Sequence, residues 1–160
     1  MKPKEFIKNV LIGEMKDIVN KHPYLAFALI AIGIEFLGKC MIIECDHWDF
    51  MRKESEKYKP FDKGMELMIK IDNRYFFVNL KDQLRNGFVH TLLPKSEVAL
   101  SEVKSGDRHF DQKSYKTILV IEILYRDFVR ACHMVLDYPF KENDKMNGDF
   151  LTISNPYETR

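Results

Sequence analysis

Residues 23–43 read PYLAFALIAIGIEFLGKCMII, and this stretch decides the class of the fold. It is apolar throughout from Tyr24 to Ile34, so a helix built on it has no polar face to turn toward water. The segment approaches the roughly 20 residues that cross a bilayer. Against a membrane span, Glu35 and Lys39 sit near its middle and end, and no second span or anchoring belt accompanies it. The stretch is expected as the buried central helix of a bundle, with Pro23 as its first residue and no membrane contact.

On its N-terminal side, residues 4–20 place Phe6, Val10, Leu11, Met15, Ile18 and Val19 at spacings of mostly three and four, one apolar stripe of a helix. On its C-terminal side, Asp46-His-Trp-Asp and a charged run from Arg52 to Lys59 read as a short exposed helix or loop. Phe61, Met65, Leu67, Met68, Ile69 and Ile71 mark a third helix, and Tyr75 to Leu93 a fourth, stopped by Pro94. Between Ser96 and Asp111 the spacing changes to alternation. Val98, Leu100 and Val103, a Ser105-Gly106-Asp107 turn and Arg108-His-Phe-Asp predict a β-hairpin. Ser114 to Leu136 reads as a last long helix that includes Tyr115 and Ile118, closed by Pro139. The expectation is an all-α fold: a four- to five-helix up-and-down bundle with a small β-hairpin before the last helix. Residues 1–140 form its single domain and residues 141–160 a polar tail.

Composition agrees with this class and narrows function. The chain has 160 residues, a length for one domain. Its 7 Gly and 6 Pro fall below the roughly 12% of average usage, and no glycine-rich phosphate loop is present. With 25 Lys+Arg against 24 Asp+Glu, no global field draws it to nucleic acid or anionic lipid, so any such binding must be a local patch. Lys81, Arg85, Lys95 and Lys104 are candidates for a basic rim. The three cysteines, two of them in or beside an apolar helix, are expected as free and mostly buried thiols. The opening Met1-Lys-Pro-Lys-Glu has no apolar h-region, and a cytoplasmic location is expected.

The segment richest in chemistry is Asp82-Gln-Leu-Arg85-Asn86-Gly-Phe-Val-His90. On a helix, Phe76, Phe77, Leu80, Leu84 and Phe88 gather on one side. Asp82, Asn86 and His90 line the other, stacked turn on turn, with Arg85 leaning toward them. His90 precedes the helix stop, where the negative helix end and a carboxylate such as Asp82 favour imidazolium. An imidazole suits general acid or base work and a guanidinium suits bidentate contact with phosphate, so the set fits phosphodiester cleavage. The bland alternative is the solvent face of an ordinary amphipathic helix.

The string Arg85-Asn86-Gly87-Phe88-Val89-His90 resembles the Arg-polar-x-x-x-His signature of the HEPN superfamily, small all-α domains found in prokaryotic defence, in toxin and antitoxin systems and in RNA processing. The resemblance is tight over these six residues and loose over the helical core. It implies a homodimer whose two motifs face one another in a metal-independent endoribonuclease site without a cofactor. Arg85 would hold the scissile phosphate, His90 would serve the ribose 2′-hydroxyl or the leaving oxygen, and Asn86 would orient one of them. Many members instead bind RNA or nucleotides without catalysis. An acidic residue followed by Lys and Arg on an earlier helix, seen in some members, is incomplete here, since Glu35 and Lys39 are followed by Cys40. Glu35 and Asp82 are expected to support the site, and an antitoxin or regulatory protein is an expected partner. The alternative function is a non-catalytic interaction or regulatory module with the motif helix at a dimer or partner interface.

The remaining candidates are weaker. Asp46, His47, Cys40 and Cys45 have metal-capable types without zinc spacing, and no metal is expected. Trp48 beside Phe50 reads as a packing anchor, Arg108-His109 as an exposed turn, and His133 as a satisfied core histidine. Glu35, a carboxylate in an apolar helix, must find a partner, for which Arg85 is the candidate.

Overall fold

The computed structural model describes residues 2–42 and 59–138. The fold is mostly α, with one small sheet. Helix α1 is continuous through Pro3–Phe6, Ile7–Glu14 and Met15–Lys21. Pro3 opens it and the Glu5 carboxylate accepts from the Lys2 backbone N–H. Its buried residues Ile7, Leu11, Met15 and Val19 recur every fourth position, which overshoots a 3.6-residue turn. The i→i+5 bonding of Ile7–Glu14 widens the turn and limits the drift of that stripe around the helix.

Helix α2, Pro23–Cys40, is the centre and packs against the helices that follow as well as α1. Among the described residues it is the one helix long and apolar enough to cross a membrane, and 56% of its apolar window is buried inside the protein. Helix α3, Pro60–Ile71, crosses it at van der Waals range because both carry glycine at the crossing. A Cβ on Gly38 would collide with the Pro60 carbonyl, and one on Gly64 with the Ile34 carbonyl.

The expected fourth helix is shorter than its pattern. Asn73–Phe77 forms a 3₁₀ turn capped by Asp72, whose carboxylate accepts from the Arg74 N–H at 2.9 Å. Helix α4 then comprises Lys81–Asn86, with π bonding, and Gly87–Thr91. Phe76 and Phe77 therefore do not join Leu80, Leu84 and Phe88 in the core; they stand exposed. The Asp72 cap and a second start at Leu80 break a pattern whose periodicity alone looks continuous.

The sheet departs from the predicted hairpin in its pairing. Strand β1, Val98–Ser101, runs parallel to β3, Lys116–Val120, in the register Val98 to Thr117 and Ser101 to Val120. Strand β2, Gln112–Lys113, is antiparallel to β3, giving the order β1-β3-β2. The true hairpin is β2–β3, closed by Ser114 and Tyr115, and residues 102–115, β2 among them, are the crossover connection that the parallel β1–β3 pair needs. The last helix, α5, accordingly spans Ile121–Leu136 and not Ser114 onward. Lys116 to Val120 satisfy their backbone in the sheet: Thr117 N–H donates to the Glu97 carbonyl and Ile118 N–H to the Asp111 carbonyl.

The core gathers Phe27, Ile30 and Ile34 of α2 with Phe61 and Met68 of α3, Leu84 of α4, Leu119 of β3 and Phe128 of α5. Cys40 and Cys132 are free and buried in it, and burial pushes both thiols above their usual range. Asp46, His47, Cys45, Trp48, Phe50, the charged run before Lys59 and the polar tail lie outside the described residues. Among the described residues, no three His, Cys, Asp or Glu side chains are grouped to hold a metal.

Candidate functional site

Helix α4 is held at both ends of its polar face. Its start is capped by the Asn79 side-chain oxygen, which accepts from the Asp82 N–H at 3.1 Å. Gln83, buried on the inner face, donates to the Glu97 carboxylate at 2.8 Å and accepts from the Glu97 N–H at 3.1 Å. Its carbonyl accepts from the Lys95 N–H at 2.9 Å. The chain after Thr91 thus folds back along the helix and passes over Gly87, where a Cβ would collide with the Leu93 carbonyl. Gly87, inside the motif, is needed for packing.

That return places Lys95 on Asp82, and a line of polar contacts follows. Lys95 pairs with the Asp82 carboxylate, which also accepts from the Asn86 amide at 3.5 Å. The Asn86 carbonyl oxygen accepts from Arg85 Nη1 at 3.1 Å. Arg85 grips Glu35 of α2 through Nε at 2.9 Å and Nη2 at 3.4 Å. The expected partner of Glu35 is therefore the one found. The pair is open to solvent, with 32% of the Arg85 side chain and 22% of the Glu35 side chain exposed. A guanidinium has five N–H donors; among the described residues three are engaged, which leaves one on each Nη for a ligand.

The Lys95 ammonium holds the Asp82 carboxyl below the usual carboxylate range, so Asp82 is ionised at neutral pH. It does not pair with His90 as the helical spacing had suggested; Lys95 and Asn86 both bond its Oδ1. His90 lies exposed in the last turn of α4, and its ring has no hydrogen-bond partner among the described residues. Tyr24 of α2 steadies this end by donating to the Leu92 carbonyl at 2.7 Å and packing edge-on against Phe88. The structure thus joins Arg85, Asn86, Asp82 and Glu35 in one network, and His90 is not part of it.

The basic rim is neutralised. Lys81 lies 3.6 Å from Asp62, Lys95 pairs with Asp82, and Lys104 lies 2.9 Å from Glu102. His133 is exposed on α5, not sealed in the core, because it falls outside the stripe of Leu124, Phe128, Cys132 and Val135.

A second polar cluster escaped the sequence reading. His109, expected in an exposed turn, is 6% exposed. Its Nδ1 accepts from the Val120 N–H at 2.9 Å, which fixes the proton of the neutral ring on Nε2, 3.2 Å from the Tyr75 hydroxyl. Tyr75 donates to Asp127 of α5 at 3.1 Å, and Arg126 donates to the other Asp127 oxygen at 3.1 Å. Burial pushes His109 down to about 4 and Tyr75 above its usual range. Lone polar residues in unlike segments left no signal in the sequence from which this cluster could be assembled. Every buried side-chain polar atom described has a partner, so the cluster is a closed structural knot.

No family model, curated protein or solved structure matches this chain.

Proposed function

We propose that this chain is a HEPN-like helical-bundle domain that binds RNA at α4 and cleaves it without a metal or other cofactor. The observation that carries the reading is the half-exposed Arg85, fixed by Glu35 and Asn86 with two N–H donors unengaged, on the same helix as an exposed His90. The two donors suit two oxygens of one phosphate. His90 is the general base for the 2′-hydroxyl or the acid for the departing 5′-oxygen, and attack of the 2′-oxygen on phosphorus yields a 2′,3′-cyclic phosphate and a 5′-hydroxyl. Asn86 orients Arg85, and Asp82 orients Asn86.

One chain offers one such imidazole, whereas the reaction uses a base and an acid. A homodimer supplies the second. Leu25, Leu29 and Ile32 form an exposed stripe on α2 that leads to Glu35, and Val89, Leu92 and Leu93 are exposed beside His90. Apolar residues so grouped around a polar site favour pairing of two copies there. The same face suits an antitoxin-like regulatory partner, and the setting that fits is a cytoplasmic defence or toxin and antitoxin module.

The test is incubation of purified protein with mixed single-stranded RNA in EDTA, beside His90→Ala and Arg85→Ala. Cleavage by the wild type and a loss of about a hundredfold or more in each variant is expected. A folded wild type that neither cleaves nor binds RNA overturns the reading. The second reading, a non-catalytic interaction module, draws on the same apolar stripe and on Arg85 already having a carboxylate partner; RNA-independent pairing without cleavage would favour it.

A further inference from the structure

The turn that joins β2 to β3 is built from residues that a turn of this kind disfavours. Ser114 and Tyr115 both have positive φ, 51° and 65°, as the two central residues of a tight hairpin turn of the I′ kind do. Asn-Gly is the favoured pair at such positions, because a side chain with Cβ is strained there and an aromatic one is unusual. Tyr115 gains no packing in return: it is fully exposed, the most exposed of the large hydrophobic residues described. Backbone strain of this kind clusters at ligand clamps and other functional sites, and here no burial offsets it.

Its neighbours define the chemistry of that contact. Lys113 and Lys116 pair across the ladder on either side of the turn, and both are exposed. Lys113 is ion-paired with Asp107 at 3.7 Å, with 72% of its side chain exposed, while no carboxylate among the described residues lies within 4 Å of Lys116. An aromatic face open on both sides, flanked by two ammonium groups, suits a stacked base between two phosphates. The hairpin is also tied to the motif helix. Gln83 of α4 holds Glu97, and the Glu97 carbonyl accepts from the Thr117 N–H at the foot of β3.

We propose that the β2–β3 hairpin tip is an RNA-binding finger, in which Tyr115 stacks on a base of a single strand while Lys113 and Lys116 hold the flanking phosphates. It rests on the RNA reading of the α4 site and extends it to a second point of contact on the same strand.

The test separates the two. Binding of the full chain to a fluorescent single-stranded 2′-O-methyl RNA, which cannot be cleaved through its 2′-oxygen, is measured by anisotropy for four proteins. They are the wild type, the double variant Ser114→Asn with Tyr115→Gly, Tyr115→Phe, and Arg85→Ala. The double variant relieves the strained turn and should melt a few degrees higher than wild type, yet bind about tenfold or more weakly. Tyr115→Phe keeps the aromatic face and should bind like wild type. A double variant that melts higher and binds as tightly as wild type overturns the finger, and weakened binding by Arg85→Ala in the same experiment leaves the α4 site standing. A wild type without affinity for the strand overturns the finger and the RNA reading together.

Discussion

His109 joins three parts of the molecule through one ring: the crossover in which it sits, the 3₁₀ turn through Tyr75, and the start of α5 through the Val120 N–H. Protonation would turn Nδ1 from an acceptor into a donor facing another donor. The groups around it are Tyr75, Asp127, Asp72, Arg74 and Arg126, and burial outweighs the pull of Asp127 toward the charged form. Its folded value of about 4 lies below the ordinary 6.5, so the unfolded chain takes up the proton first. Stability from this group is fully present above about pH 6.5 and is lost as the pH falls toward about 4, by roughly 3 kcal/mol in all. Asp72, held down to about 2 by the Arg74 side chain, keeps its charge across that window. Urea unfolding between pH 7.5 and 4.5 should show this loss in the wild type and a flatter profile in His109→Gln; equal slopes would contradict it. None of this was legible in the sequence, where His109 sits between a turn and a short strand. The Arg85 to His90 motif was legible because its residues are adjacent on one helix, and Glu35 because a carboxylate in an apolar helix needs a partner.

Among the elements, α2 and α3 depend on the absence of two side chains. Gly64→Ala places a methyl group against the Ile34 carbonyl, backbone against backbone, so the helices must separate. A cost of about 2–3 kcal/mol is expected, read as a lowered urea midpoint with an unchanged slope. Gly13 has only ordinary contacts around it, and Gly13→Ala in α1 should be neutral or stabilising. The start of α2 was read from Pro23, whereas Pro3 and Pro60, which open α1 and α3 in the same way, were not used as start signals. Helix positions were misread where a strand or a 3₁₀ turn runs straight into a helix. Ile118 and Leu119 continue the apolar spacing of α5, but the Ser114-Tyr115 reversal and the backbone of residues 97–111 claim them for the sheet. The β1 to β3 pairing is parallel, and no local pattern distinguishes that from a hairpin.

At the scale of the molecule, a run apolar on every side was expected to be covered on every side. Within one chain it is not: Leu25, Leu29 and Ile32 of α2 remain exposed, as do Val89, Leu92 and Leu93 at the end of α4, which Tyr24 ties to α2. If two copies cover this face, Leu29→Glu with Leu93→Glu should shift the protein to a monomer in sedimentation equilibrium while leaving its helical circular dichroism unchanged. A variant that sediments like wild type would place any partner elsewhere. The Glu35 to Lys95 network, lying at the edge of this face, would then stay open to water.

Periodicity and near-neighbour spacing, which are local properties of a chain, made the mostly-α class, the central helix with its start at Pro23 and the six-residue motif legible. Tertiary packing settled the other polar partners, beyond the Arg85 pairing already expected for Glu35. It drew Tyr75, His109 and Asp127 into one buried knot, paired β1 with β3, and left Tyr115 in the open. Those outcomes follow from which backbone and side-chain groups must be satisfied once the core closes, a condition on the whole chain that no single segment carries.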